Sequence, residues 1–586
     1  MNLSLSVPDL ALALRRQSSA GRIHVDSVNG SDLFTGASPQ SALASLSAAA
    51  AAASDGARIA LAAGSVWRDS LDLSSVSDVT VEPYGDIATD GLPVIRGDDE
   101  LDGVWETSAD RGDAHTNVYS QEFTWSGEAT DTDMWMVFWE HPEGTDDVLG
   151  TGVTNLAYAS SLSACQSTPG SFFVDSAELG ANPAVEFNVS GASRTVTVYI
   201  HPTGSTDPRS DGKSYHGAAR LVCVYVGDNS TVRQIHAYRA GNHAGSFHGK
   251  ANCLFDRCLA YDSVSHQMLM GYGEFRDCIA FHRFLDARRG AILIEHYGGA
   301  EAQDTTAIFR RCIAVSTPQV RDAQTPVGLG GHTSGGHRYE RWIAEDCVAL
   351  ECTIQGNSMR FYDVVRSSVI NGYIAADADE HVTITDCRLV TDRTMVPAQN
   401  PYLFRQGSVY GTSDPVPHTV TGLRAYTREM DDIPPMLDVA NMTLERSLIV
   451  IEGTGTIGGN TFCLSTRVTG VDLTMNRNVF MSREGFIRVS DAAAVLSGDD
   501  NVYDGNARWI TGSSSHFTLA DWQSASGIDA TAVENDPGVL VVADPYNDDW
   551  TLTGNLGDTG AGLEDPTITY TQPVETITEA LSRLSA

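Results

Sequence analysis

An all-β solenoid is the fold class that the sequence predicts. Three observations carry it. A short apolar segment recurs along the chain, its shortest steps cluster near 20 residues, and β-type runs without helical periodicity lie between the copies. The clearest copies read Phe255-Asp-Arg-Cys258-Leu-Ala, Phe275-Arg-Asp-Cys278-Ile-Ala and Phe309-Arg-Arg-Cys312-Ile-Ala. Weaker copies centre on Cys347, Ser368, Cys387, Ser447, Asn478 and Asn501, and the step of 60 residues after Cys387 has room for one or two degenerate coils.

A coil this small cannot bury its own apolar face. Stacked coils can, and they set identical positions on top of one another about 4.8 Å apart. Cys, Ser and Asn at the shared position then form an internal ladder of small residues, which accounts for five of the ten cysteines without any chemistry. No C-x-x-C spacing accompanies the ladder, so a metal role for these thiols is not expected. Ten cysteines in 586 residues do not make a disulfide scaffold.

The elements fall in order. Residues 1–22 form an N-terminal arm, a candidate attachment segment. Residues 23–99 form the solenoid entrance: a strand from Ile23, an Ala-rich helix over Ser41–Ala53 that caps the open core, and a strand and turn from Ala57. Residues 100–220 interrupt the coils with an antiparallel β insertion. It holds Trp105, Trp125, Trp135 and Trp139 and the strand-like runs MVFWE, GSFFVD and RTVTVYIHP. Its aromatics read first as the insertion's own core and second as a sugar-stacking platform. The main coils run over 221–505, a closing segment over 506–565 and a tail over 566–586.

Charge narrows the function classes. The chain has 38 basic and 75 acidic residues, a formal charge of −37. That argues against nucleic acid and against an anionic membrane surface, both of which need clustered cations. No run of 18 apolar residues is present, so no membrane insertion is expected. Lysine occurs only at Lys213 and Lys250. The first 17 residues lack the order of a general secretory signal, since Arg15 and Arg16 follow the apolar stretch. The expectation is synthesis in a cytoplasm without general export.

VDSVNGSD, the Ala-rich helix, AAGSVWRDSL and the FRxCIA ladder resemble right-handed parallel β-helix proteins of the pectin-lyase-like superfamily. The segment Asp536–Gly562 is similar to the closing segment of many such chains. The resemblance covers roughly residues 22 to 565. It implies a right-handed parallel β-helix solenoid with an N-terminal capping helix. It also implies one of several roles: polysaccharide lyase, glycoside hydrolase, epimerase or phage tailspike.

Half of the 16 histidines lie between residues 236 and 337. GNHAGSFHGK (241–250) and GGHTSGGHRY (330–339) carry histidines at equal offsets from Cys258 and Cys347. Equal offsets would set His243 with His332 on one edge of the solenoid and His248 with His337 on another, lining a groove. They would equally suit a repeated structural corner. Counting forward from Cys258 and Cys278 places Asp262 beside His282 and His266 beside Asp286, pairs suited to acid–base work or to plain ion pairing. Lys250 as base and Arg288 as neutraliser, with Glu295 and His296 following, complete the candidate set: Lys250, His266, Asp286, Arg288 and Glu295 as catalytic, and His243, His248, His282, His296, His332 and His337 as substrate-binding. No cofactor is called for. Calcium would suit an acidic-glycan binder, although no EF-hand loop is present, and no metal ligands are assigned.

The leading expectation is a phage tailspike or tail-fibre-like β-helix that binds a bacterial surface polysaccharide, with depolymerase activity left open. It would sit in the virion tail after synthesis in the host cytoplasm, with other tail proteins as neighbours and, by analogy with spikes, as a homotrimer. One rival is a free bacterial polysaccharide lyase, secreted by a non-classical route. Another is a structural virion component without catalysis.

Overall fold

The computed structural model describes residues 22–553, apart from 126–137, 143–153, 175–193, 242–244, 264–265, 283–291, 317–326, 335–336, 393–403, 407–416, 429–436, 439–440, 453–462, 467–471, 483–484, 490–493, 505–507, 512–513, 517, 529, 531, 536–540 and 545–548. Its strands stack into a 26-stranded and a 14-stranded sheet, paired in parallel almost throughout. The architecture is a parallel β-helix. Each coil contributes three short strands, as in Phe247–Gly249, Cys253–Asp256 and Leu259–Tyr261. The next coil repeats them in register: Phe247 opposite Met268, Phe255 opposite Phe275, Ala260 opposite Ala280. Alternation along each strand sends one set of side chains inward. The interior rings of Phe255, Phe275, Phe309, Trp342 and Tyr362 follow one another with centroids 4.7–5.5 Å apart.

The coil is closed by a sharp bend just before each ladder position. At Gln234, Arg257, Asp277, Arg311, Asp346, Arg366, Asp386, Gly422, Arg446, Arg477 and Asp500, the residue before that position has φ between 45° and 67°. For a non-glycine residue this conformation costs about 1–2 kcal/mol. The bend keeps the parallel ladder running: Asp277 N–H donates to the Arg310 carbonyl (2.9 Å) and Arg311 N–H to the Glu345 carbonyl (2.9 Å). The bending residues alternate between Arg and Asp from Arg257 to Asp386, so successive coils pair, Arg311 with Asp277 and Arg366 with Asp346, both at 2.7 Å. Exposed pairs of this kind contribute only about 0–1 kcal/mol each. They do account for paired guanidinium and carboxylate side chains on the bend.

The bend also explains the ladder. Turning the chain leaves backbone groups facing the core, and the ladder side chain meets them. The Cys278 and Cys312 thiols donate to the carbonyls of Phe255 and Phe275 one coil back, each at 3.3 Å. Ser and Asn serve the same groups more strongly. Cys347 N–H donates to the Ser367 hydroxyl at 3.1 Å. Asn478 accepts from Ser447 N–H (3.0 Å) and donates to the Leu444 carbonyl (2.9 Å). All ten cysteines are buried and unbridged. Burial pushes the Cys387 thiol up to about 12, so it stays protonated.

Two rungs differ from the sequence reading. Ser367, not Ser368, occupies the ladder: Ser367 is buried, while the half-buried Ser368 already belongs to the next strand. Adjacent serines make a slip of one residue invisible in sequence. The 60-residue step holds one coil, whose rung is Leu423, because Arg424 pairs with both Arg388 and Leu448. An apolar rung hides from a search for Cys, Ser or Asn.

Both ends of the core are covered. Helix Leu46–Ala52 is capped by Ser45, whose side chain accepts from Ala48 N–H at 3.1 Å, and it buries Leu46, Ala49 and Ala52. It is shorter than expected because Pro39–Ser41 forms a separate 3₁₀ turn. Helix Leu519–Ser526 was not anticipated. Thr518 caps it, Gly527 ends it at φ 74°, and its buried Trp522 stacks on Trp509 at 6.3 Å. After it, Val541–Asp544 and Asp549–Thr553 pair antiparallel.

Residues 98–218 contribute two further four-stranded sheets, paired mostly antiparallel. Trp105, Phe123, Phe138 and Phe172 form a core of their own there. Trp105 and Trp139 are buried, whereas Trp135 and the Trp125 side chain lie outside the described residues. The chain leaves and rejoins the solenoid at one point, where Ala219 and Arg220 N–H both donate to the Gly97 carbonyl (2.7 and 2.9 Å). The fully buried Asp98 pins this joint. It accepts from Arg96 (2.8 and 2.9 Å) and Arg239 (2.9 Å), and it faces His216 at 3.2 Å. Burial alone would raise Asp98, but Arg96 and Arg239 outweigh it and hold the carboxyl well below its usual range.

Substituting Asn478→Ala orphans the Ser447 N–H and the Leu444 carbonyl inside the core. At about 1–3 kcal/mol per group, the urea midpoint falls clearly below wild type. An unchanged midpoint would contradict the role given to the ladder.

Candidate functional site

The outward row of one face runs through consecutive coils as Asp72, Tyr225, His248, Leu269, Glu295, Gly330, Gln355 and Ala375. Glu295 lies in strand Ile292–Gly298, between inward-facing Ile294 and His296. Although it faces outward, Glu295 is fully buried. His266, just before strand Met268–Met270, meets it through Nε2. His332, near the end of strand Val327–Thr333, meets its other oxygen through Nδ1. One carboxylate is thus clasped by two imidazoles from the coils on either side.

Electrostatics follow from that clasp. Burial alone would push Glu295 up; the facing imidazoles of His266 and His332 outweigh it and hold the carboxyl down to about 2. Burial acts on His332 in the opposite sense, and the Glu295 carboxylate overcomes it, raising His332 above its ordinary 6.5. The His266 side chain is 3% exposed and the His332 side chain 37%. Of the two, His332 combines an orienting carboxylate with access to solvent, as a general base needs to reach its substrate. Tyr297, 40% exposed and in register with His332, sets its ring 4.5 Å from that imidazole.

Gly331, just before His332, has a packing cause. A Cβ at Gly331 would lie 2.3 Å from the Trp342 indole nitrogen, so only glycine lets Trp342 fill the core. Gly330–Thr333 are strand, where the sequence reading left open a groove edge or a repeated corner. The equal-offset argument fails here. His248 sits in strand Phe247–Gly249, but His337 lies between two strands, because the link from Thr333 to Tyr339 is longer than the link from Gly249 to Cys253. Offsets counted from the ladder do not survive a corner of variable length.

The other candidates separate as follows. His296 points into the core against Phe275 and Phe309, with Nε2 at 3.3 Å from the Ile308 carbonyl. Burial lowers it to about 3, so it is a neutral packing residue and not a substrate contact. His282 does follow Asp262 one coil on, but its ring is buried and its Nε2 meets the Ser263 carbonyl at 3.0 Å. His248 stacks on Tyr225, ring centroids 4.2 Å apart. Lys250 is exposed on the turn after Gly249, and both ion pairs of Glu295 are made with histidines instead. His243, Asp286 and Arg288 lie outside the described residues. Among the described residues no cluster of three or more His, Cys, Asp or Glu side chains is arranged to hold a metal ion.

No known protein family matches the chain, and no curated protein does. Solved structures with a similar trace include a complex of XylC with xylose (10% identity, 89% of this chain and 88% of that one, TM-score 0.41). Another is a glycoside hydrolase (10% identity, 87% and 99%, TM-score 0.31). A third is the tailspike protein gp49 from Pseudomonas phage LKA1 (9% identity, 79% and 79%, TM-score 0.30). Scores this low say nothing about activity.

The clasp makes a pH prediction with a definite sign. Glu295 is depressed from 4.5 to about 2, so its contribution is present above 4.5 and is lost as pH falls toward 2. His332 is raised, so its contribution is full below 6.5 and is lost as pH rises through the raised value. Glu295→Gln therefore destabilises most between about pH 4.5 and 6.5. Denaturant unfolding at stepped pH checks this. A difference that is flat with pH would contradict it.

Proposed function

We propose that this chain is a carbohydrate-active β-helix protein that takes a bacterial surface polysaccharide at the Glu295 site, with His332 as the proton-transfer group. The observation that carries this reading is the buried Glu295 clasped by His266 and His332 on the outward face, with Tyr297 alongside. Glu295 fixes the His332 tautomer, because Nδ1 faces the carboxylate and Nε2 is left for substrate. The exposed Tyr297 ring offers an apolar face to a sugar. His266 is a positioning residue: it holds the second oxygen of Glu295 and is itself buried.

A panel of capsular polysaccharides and lipopolysaccharides tests the reading. Elimination gives the ultraviolet absorbance of an unsaturated uronide, and hydrolysis gives reducing ends without it. His332→Ala lowers turnover by about 10²–10⁴-fold while glycan binding persists. Glu295→Gln moves the acidic limb of the pH–rate profile to lower pH, because His332 loses the carboxylate that raises it. Wild-type turnover in His332→Ala would sink this assignment.

The finer proposal is a place on a phage tail, supported by the resemblance of the coils to tailspike β-helices. Mass spectrometry of purified particles finds the chain there if so. Absence from particles, with activity in the free protein, would favour the free enzyme, and presence without any glycan activity would favour a structural part.

A further inference from the structure

Lys250 is a cation that the coils leave over. Acidic residues outnumber basic ones by 75 to 38, so a cation on this surface meets a carboxylate by default. On the coils around Lys250, the residues Arg233, Arg257, Arg276, Arg310 and Arg311 each face one at 2.7–3.8 Å. The other lysine of the chain, Lys213, is held by Glu140 at 2.7 Å. Lys250 is exposed and makes no ion pair among the described residues. Asp228, one coil back on the same turn, is engaged by the backbone: it accepts from Ala251 N–H at 3.0 Å. The register decides what the Lys250 ammonium can reach. Gly249 faces inward, where a Cβ would meet Phe255 and Cys253, so Lys250 after it faces outward. Gly249, Met270 and His296 are in line, and Tyr297 is in line with His332. Lys250, Gly271, Tyr297 and His332 therefore follow one another in one outward row. Gly271 N–H donates to both the Gly249 and the Lys250 carbonyl (3.1 and 3.2 Å), which keeps the row in step beyond the strand. At about 4.8 Å per coil, Lys250 stands about 10 Å from Tyr297, with a glycine between them.

From this placement we infer that Lys250 is a charge-reading subsite, which takes the carboxylate of an acidic sugar about two units along the polymer from the sugar at Tyr297. The subsite rests on the proposed glycan reading and names the class of sugar that is selected. A pyranose unit is about as long as one coil spacing, so a polymer lying along the row sets successive sugars over successive coils. An ammonium on a flexible four-carbon stem can meet a carboxylate from several directions, which suits a sugar held away from the reacting centre. His248, outward on the same strand, stacks on Tyr225 at 4.2 Å and gives that sugar a flat neighbour. In a chain of formal charge −37, the Lys250 cation also offsets at one point the repulsion that an acidic polymer meets elsewhere on the surface. Lys250 thus selects and places the substrate and takes no part in proton transfer.

The experiment uses the full chain and a capsular polysaccharide containing uronic acid. Binding of that polymer is compared with binding of the same polymer after its carboxyl groups have been reduced to alcohols. Wild type binds the acidic form about fivefold more tightly. Lys250→Ala binds both forms alike, with the affinity that wild type shows for the reduced polymer, and Lys250→Arg restores most of the preference. An unchanged urea midpoint shows that each variant is folded. Equal wild-type affinity for the two forms, a preference that survives in Lys250→Ala, or binding of neutral glycans alone overturns the subsite and leaves the glycan reading standing. Failure to bind any glycan overturns both.

Discussion

One bent residue per coil, held at positive φ against its own preference, is the constraint on which the rest of the molecule depends. The bend closes each coil and keeps the parallel hydrogen bonds in step. It leaves buried backbone groups that a short polar side chain can meet. The repeated Cys, Ser and Asn follow from this, as does the alternation of Arg and Asp on the bend itself. No single coil is stable alone. Stacking spreads the cost of the bends over a continuous core, and that core fixes the register on the outward faces.

Register is what makes the site. Glu295, His266 and His332 come from three different coils and share no local motif. They meet because Leu269, Glu295 and Gly330 are locked in line, and because Gly331 lets Trp342 fill the core beneath. A carboxylate buried on an outward face is tolerated only with charge partners. The two imidazoles supply them, and the same contacts orient His332.

Much of the architecture could be read from the chain because each coil repeats one physical problem. FRxCIA announces the bend, and the Ala-rich segment announces a cap. What stayed hidden was whatever lacked the repeated chemistry. Leu423 is an apolar rung. The Ser367–Ser368 pair concealed a shift of one residue. The cap at Leu519–Ser526 had signals in Thr518, Asp521 and Gly527, but no hydrophobic period long enough to stand out. At the site, Glu295, His266 and His332 were all recognisable as reactive residues. Their meeting was not, because the lengths of the corners between strands decide which offsets become neighbours, and those lengths vary from coil to coil. His296, one residue from Glu295, shows the cost of that: alternation along the strand sends it into the core.

The central claim is that Glu295 holds His332 as an oriented, proton-competent imidazole. Titration of selectively labelled histidine by nuclear magnetic resonance, with His332 assigned by substitution, tests it most directly. The expected result is a His332 midpoint above 6.5 that drops in Glu295→Gln. A His332 midpoint at or below 6.5, unmoved by loss of the carboxylate, would contradict it.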